Sequence, residues 1–154
     1  PLVSQTVDTN ILVYASNADA GEHDRARHLV EHLSVGPAIV VLLWPTILGY
    51  LRIATHPAIF PTPLSHDAAA RNIEALLGRA HVRVLGEGDG FWTTYRSVAD
   101  AVKPRGNLVP DAHLVALMRR HGVSTIWSRD RDLRKFDAIT VKDPYDQRYA
   151  AGFA

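Results

Sequence analysis

The sequence predicts an α/β domain in which a mainly parallel sheet of about five strands lies between two layers of helices. Short apolar runs alternate with segments whose apolar residues recur every three or four positions, as expected for strands separated by helices. The run Ala38–Leu43 is rich in β-branched residues, which is typical of a buried parallel strand. Because no repeat, low-complexity segment or linker interrupts the 154 residues, we expect one three-layer domain over 1–154, with roughly 145–154 as a C-terminal tail.

Short apolar runs predict five strands, at Leu2–Val7, Ala38–Leu43, Val82–Leu85, Val123–Trp127 and Ile139–Val141. The intervening helices are predicted from one-sided apolar spacing and from residues that favour helix ends. Ser65 is a preferred N-cap residue, and Pro110 suits the first turn of a helix. The predicted helices cover His23–Leu33, Ile47–Ala54, Ser65 to Gly78, Asp89 to Val102, and a last segment from Pro110 to His121.

The composition excludes several kinds of site. The chain has no cysteine, so disulfides, thiolate zinc sites and cysteine nucleophiles are ruled out. Seventeen Lys+Arg balance sixteen Asp+Glu, so the total charge identifies no partner. No apolar run approaches the roughly 18 residues of a membrane span. These features fit a cytoplasmic protein without a membrane partner, and we expect that location.

Four aspartates lie near the predicted carboxyl ends of strands. Asp8 follows the first strand, Asp130 and Asp132 follow the fourth, and Asp111 lies in the first turn of the helix that leads into the fourth strand. Parallel sheets place their ligands at the carboxyl ends of strands. We therefore expect these carboxylates, far apart in sequence, to converge at one edge of the sheet.

Each aspartate also has a purely structural interpretation. Asp8 could cap a following helix, Asp111 could complement a helix dipole, and Asp130 and Asp132 could be turn residues paired with neighbouring arginines. Their joint placement favours a ligand, because two carboxylates 4 Å apart repel by about 4 kcal/mol at an effective dielectric near 20. A cation between them or a bound proton relieves that repulsion. An all-oxygen donor set without cysteine favours Mg²⁺ or Mn²⁺ over zinc.

Four segments, in this order, span nearly the whole chain: Val7–Ala15, Leu51–Pro57, Leu108–Leu114 and Ser128–Leu133. Together they resemble the PIN-domain family, and within it the VapC-type toxins of bacterial toxin–antitoxin pairs. The resemblance implies a Mg²⁺- or Mn²⁺-dependent endoribonuclease that cleaves cellular RNA. It also implies a cognate antitoxin protein that blocks the site, and a homodimer.

The resemblance also implies roles for individual residues. Asp8, Asp111 and Asp130 match the acidic metal-site positions, and Asp132 matches a frequent additional one. Polar positions that support the first aspartate by hydrogen bonds match Asn10 and Ser128. One departure is Gly49, which stands where the family often has a second acidic residue, a glutamate. Glycine has no side chain to bind a metal, which puts a second metal ion in doubt.

Basic residues flank the predicted site. Those we expect to contact RNA are Arg129, Arg131, Arg134, Lys103 and Arg105. The alternative is that the arginines only balance nearby acids. Two other functions stay open: a PIN-like module that binds RNA or protein with weakened catalysis, and another metal-dependent phosphoesterase.

Overall fold

In the computed structural model, which describes residues 4–153, five strands alternate with helices. The strands are β1 (Gln5–Val7), β2 (Val40–Leu43), β3 (Val82–Leu85), β4 (Thr125–Trp127) and β5 (Thr140–Lys142). The helices are α1 (Thr9–Ser16), α2 (His23–Val35), α3 (Trp44–Ala54), α4 (His66–Leu77), α5 (Phe91–Val102) and α6 (Leu108–Arg120). Two 3₁₀ turns follow, at Arg131–Lys135 and Gln147–Tyr149. Leu2 and Val3, predicted as part of the first strand, lie outside the described residues.

All five strands are parallel, in the order β3-β2-β1-β4-β5. From the central strand β1, the chain forms β2 and β3 on one side and then returns to form β4 and β5 on the other side. The carboxyl ends of β1 and β4 therefore flank the point where the strand order reverses, with Val7 paired to Trp127. In open α/β sheets this is where a ligand crevice forms.

The two faces of the sheet carry separate apolar cores. Val40 and Leu42 pack among side chains of α1 to α4, whereas the alternate residues Val41 and Leu43 pack against α5 and α6. This alternation follows from the two-residue period of a strand. The predicted arrangement, a parallel sheet with helices on both faces, is confirmed. No helix within residues 4–153 is long and apolar enough to span a membrane.

Several element boundaries differ from the prediction by one to three residues, and two of them lie beside the site. Helix α3 begins at Trp44, three residues before the predicted Ile47, because Pro45 is compatible with a first helical turn, where its missing N–H has no partner to lose. Strand β2 begins at Val40, two residues after the predicted Ala38. The earlier start matters for the site, because it places Thr46 and Gly49 in the first two turns of α3, next to the carboxyl end of β2.

The C-terminal segment packs against the sheet. Tyr149 and Phe153 place their ring centroids 5.0 and 5.4 Å from that of Trp127 on β4, both nearly edge-on. Tyr145 lies edge-to-face with Tyr14 of α1 at 6.3 Å. Residues 145–153 therefore contribute aromatic side chains to the face that α1 covers.

Candidate active site

Asp8 is fixed at the junction of β1, β4 and α1. Its backbone N–H donates to the carbonyl of Trp127 at 3.0 Å, which ties the end of β1 to β4. Its Oδ1 accepts from the backbone N–H of Thr9 at 2.8 Å, and its Oδ2 accepts from the Ser128 hydroxyl at 2.8 Å. Asp8 therefore does cap α1, as the structural interpretation proposed, yet its second oxygen faces the loop after β4.

The loop after β4 is organised by a relay of short hydrogen bonds. The buried hydroxyl of Ser128 accepts from the backbone N–H of Asp130 at 2.9 Å. Oδ1 of Asp130 in turn accepts from the backbone N–H of Asp132 at 2.9 Å and caps the 3₁₀ turn. The hydrogen bond expected between Ser128 and Asp8 is present, and the same hydroxyl fixes the start of the loop that carries the next two carboxylates.

The third element is the first turn of α6, which presents Asp111 to this loop. Carboxylate oxygens of Asp111, Asp130 and Asp132 all lie within 4.8 Å of one another. Asp8 lies at the same edge and lines a cleft together with Asp111 and Asp130. The four aspartates are thus brought together, although the tightest group contains Asp132 in place of the predicted Asp8.

The electrostatics of the site oppose full ionisation of these acids. The pKa of Asp111 is raised to about 6, first by burial and then by the charges of Asp130, Asp8 and Asp132, against a smaller lowering by Lys135. Burial also raises the pKa of Asp8, more than its hydrogen bonds from Ser128 and Thr9 lower it. A divalent cation is the ligand that relieves both effects, and an all-carboxylate donor set fits Mg²⁺ or Mn²⁺.

A cleft of about 280 Å³ runs from the carboxylates to α3, and we call it the α3 cleft. Its lining includes Asp8, Asp111, Asp130, Thr46, Gly49 and Arg52. Arg52 is the basic side chain among these lining residues, and its own side chain is exposed. The prediction missed Arg52 as a site residue. The available signal was its position three residues after Gly49, which places both on one face of α3.

Gly49 is closely packed in spite of lacking a side chain. A Cβ atom added there would lie 3.0 Å from Oγ1 of Thr9 and 3.2 Å from its Cγ2. Thr9 therefore occupies the space through which a side chain at position 49 would leave the helix. The absence of the second acidic residue is thus built into the packing of α1 against α3.

A second cleft, of about 220 Å³, lies on the other side of the carboxylates, and we call it the tyrosine cleft. It is lined by Asp8, Asn10, Ile11, Tyr14, Arg129, Asp130 and Tyr145. Asn10 is exposed here on α1. The Asp8 hydrogen bonds described above come from Thr9 and Ser128, so a supporting role of Asn10 towards Asp8 stays a prediction.

The predicted RNA-contacting residues fall into different environments. Arg129 lies beside the carboxylates but is tied to Glu22 by an ion pair of 3.0 Å and to the ring of Tyr145, 4.6 Å from its centroid. Arg131 and Arg134 are exposed on the 3₁₀ turn. The remaining two, Lys103 and Arg105, are exposed in the loop before α6 and line neither cleft.

Comparison with known proteins places this architecture in context. A family model described as the PIN domain matches residues 6–139. Ribonuclease VapC48 of Mycobacterium tuberculosis is 56% identical over 143 residues, covering 93% of this chain and 99% of that protein. The crystal structure of M. tuberculosis VapC20, titled a sarcin-ricin loop cleaving toxin, has a TM-score of 0.62 at 18% identity and covers 88% of this chain and 98% of that one. A toxin–antitoxin complex from Klebsiella pneumoniae gives 0.60 at 16% identity, with coverages of 92% and 98%.

Proposed function

The chain belongs to the PIN-domain family, and from this premise we propose that it is a divalent-metal-dependent endoribonuclease that cleaves cellular RNA as the toxin of a toxin–antitoxin pair. The observation that carries the proposal is the convergence of Asp8, Asp111, Asp130 and Asp132 at the crevice between β1 and β4. The nearly full-length similarity to a protein named a ribonuclease supports the RNA substrate.

In this proposal Asp8, Asp111 and Asp130 hold Mg²⁺ or Mn²⁺, with Asp132 as a further ligand. When bound, such an ion offsets negative charge on the reacting phosphate and makes water a better nucleophile. Because Gly49 supplies no carboxylate, the α3 residues described as lining the cleft include no acid that could hold a second ion. We therefore propose a site for one ion.

The protein's own contribution is positioning and charge. Ser128 and the backbone of Thr9 fix both oxygens of Asp8, so that this carboxylate does not reorient when an ion or a phosphate arrives. Arg52, on the wall of the α3 cleft, is the cation that we assign to a phosphate of the RNA backbone. With glycine at position 49, where the family often has a glutamate, and Arg52 one turn later, the charge of that wall changes from balanced to positive.

We also propose a cognate antitoxin as partner, a homodimer as the assembly and the cytoplasm as the location. The antitoxin is supported by the resemblance to VapC-type toxins and by the similarity of the fold to a chain of a solved toxin–antitoxin complex. Size-exclusion chromatography of the chain alone tests the homodimer. Co-expression with the product of an adjacent small gene tests the antitoxin.

The decisive experiment is sequencing of the 5′-monophosphate ends formed when the purified chain meets total cellular RNA with Mg²⁺ or Mn²⁺. We expect a small set of discrete cut sites, lost with EDTA and lost in Asp8→Asn. Metal binding without any RNA cleavage would instead favour the PIN-like binding module that Gly49 raises as an alternative. Hydrolysis of small phosphoesters with RNA left intact would favour the phosphoesterase.

A further inference from the structure

We propose that the tyrosine cleft is a nucleobase subsite, which holds one unpaired RNA base next to the phosphate that is cut. The inference rests on the proposed function, because it assigns a part of the RNA substrate to a specific surface. It adds a source of sequence selectivity that the carboxylates cannot supply, since they contact the backbone alone.

The position of the cleft is the first argument. Asp8 and Asp130 line both the α3 cleft and the tyrosine cleft, so the carboxylates form the ridge between the two. An RNA strand whose phosphate lies on that ridge therefore has one neighbouring nucleotide on each side. The α3 side offers the guanidinium of Arg52 for a phosphate, while the other side offers aromatic rings.

The lining of the cleft matches the way proteins bind unpaired bases. Tyr14 and Tyr145 meet edge-to-face at 6.3 Å, and the guanidinium of Arg129 lies over the Tyr145 ring at 4.6 Å. Glu22 holds that guanidinium in place at 3.0 Å. Aromatic rings and guanidinium planes are the surfaces on which extruded RNA bases stack. The exposed amide of Asn10 supplies both a donor and an acceptor for a base edge.

The hydroxyl of Tyr145 is the second argument. It is buried, and it has no hydrogen-bond partner among the described residues. Burial raises the pKa of this hydroxyl, so it keeps its proton and stays a donor. A buried unsatisfied hydroxyl destabilises a fold, and phenylalanine would fill the same volume without that penalty. A base edge in the cleft becomes the missing partner when the Tyr145 ring turns its hydroxyl towards the cleft, which Tyr145 lines.

Tyr145→Phe separates the two interpretations. A purely structural Tyr145 predicts a variant that is at least as stable and cuts RNA with unchanged preference. A nucleobase subsite predicts a variant that folds equally well but discriminates less between bases at one position beside the cut. The expected loss of discrimination is roughly three- to tenfold, the range for one neutral hydrogen bond. Tyr95→Phe, on α5 and outside both clefts, is the matched control.

Two measurements carry the test, and the second does not depend on RNA cleavage. The first is end sequencing of a random-sequence RNA pool cut by wild type, Tyr145→Phe and Tyr95→Phe in Mn²⁺. The second is binding of the four 5′-nucleoside monophosphates, followed by NMR line broadening. We expect wild type and Tyr95→Phe to favour one base in both measurements, and Tyr145→Phe to lose that preference.

The outcomes distinguish the two proposals. Equal binding of the four nucleotides by wild type, or an unchanged preference in Tyr145→Phe, would overturn the subsite whether or not RNA is cut. Base-selective nucleotide binding that Tyr145→Phe abolishes, together with intact RNA, would support the subsite and overturn the nuclease. Protection of the cleft by a co-purified protein, with no nucleotide binding, would reassign this surface to a protein partner and reject the subsite.

Discussion

Replacing Asp111 by asparagine should make the metal-free protein more stable than metal-free wild type. The same replacement should reduce the stability that the protein gains when it binds a metal ion. Asp111 lies in the first turn of α6 and faces Asp130 and Asp132 across less than 4.8 Å. Asparagine has nearly the same volume and no charge. The substitution therefore removes the electrostatic repulsion while leaving the packing of α6 almost unchanged.

The magnitude follows from the pKa. Burial and the neighbouring aspartates raise the pKa of Asp111 from 3.8 to about 6 in the folded chain. A raised folded-state pKa means that the folded chain holds the proton more tightly. Protonation of Asp111 therefore stabilises the folded chain fully below pH 3.8, and this stabilisation is lost as the pH rises through about 6. Two pKa units correspond to about 3 kcal/mol, and partial solvent exposure reduces this to about 1–2 kcal/mol at neutral pH.

Thermal unfolding followed by circular dichroism measures the effect. In EDTA at pH 7.5 we expect Asp111→Asn to melt roughly 2–6 °C above wild type, and the gap to narrow at pH 4.5. Adding Mn²⁺ at a hundred times its Kd should stabilise wild type by about 2.7 kcal/mol and the variant by much less. Asp137→Asn, an exposed aspartate in the loop before β5, controls for the substitution itself. An equal or lower melting temperature for Asp111→Asn in EDTA would refute the electrostatic reasoning, and equal Mn²⁺ stabilisation would remove Asp111 from the metal site.

Three further predictions concern the site. Asp8→Asn should reduce RNA cleavage at least a hundredfold with its circular dichroism spectrum unchanged, and full activity in that variant would end the assignment. Arg52→Ala should raise KM several-fold with little change in kcat and should flatten the salt dependence of kcat/KM, whereas a pure kcat defect would contradict a binding role. Gly49→Glu should lower the free energy of unfolding by about 1–3 kcal/mol, because the new side chain meets Thr9. Adding Thr9→Ser to that variant should recover part of the loss, as measured by chemical denaturation. If the effects of the two substitutions simply add, the contact between positions 49 and 9 is contradicted.

The fold could be predicted because it depends on patterns repeated along the chain. The β-branched run before Trp44 and the one-sided apolar spacing of α2 and α4 each identify an element from a few neighbours. The N-cap Ser65 was found because its hydroxyl accepts from the backbone of Ala68, a contact within one turn. The start of α3 is harder to predict, because its first turn contains Pro45, which fits that turn without adding to the apolar spacing of the helix.

The site was only partly predictable, because its contacts join residues that are distant in sequence. The aspartates were identified from strand ends, but which three are closest depends on the direction of the first turn of α6 relative to the 3₁₀ turn. The exposure of Asn10 depends on the rotation of α1, which its short sequence does not fix. The recurrence of aromatic residues at 145, 149 and 153 is a four-residue pattern that would have indicated packing of the C-terminal segment against Trp127.

The energetics of the site argue that these acids are kept for a ligand. The relay through Ser128 and Asp130 holds the carboxylates close together, although each would be better solvated apart. Within residues 4–153 the cationic side chain paired to this group is Lys135, bonded to Asp132 at 2.9 Å on an exposed surface. One exposed ion pair contributes roughly 0–1 kcal/mol and cannot offset the repulsion at Asp111. Repulsion among these acids therefore lowers the free energy of unfolding of the metal-free chain, and a cation bound between them would offset that loss.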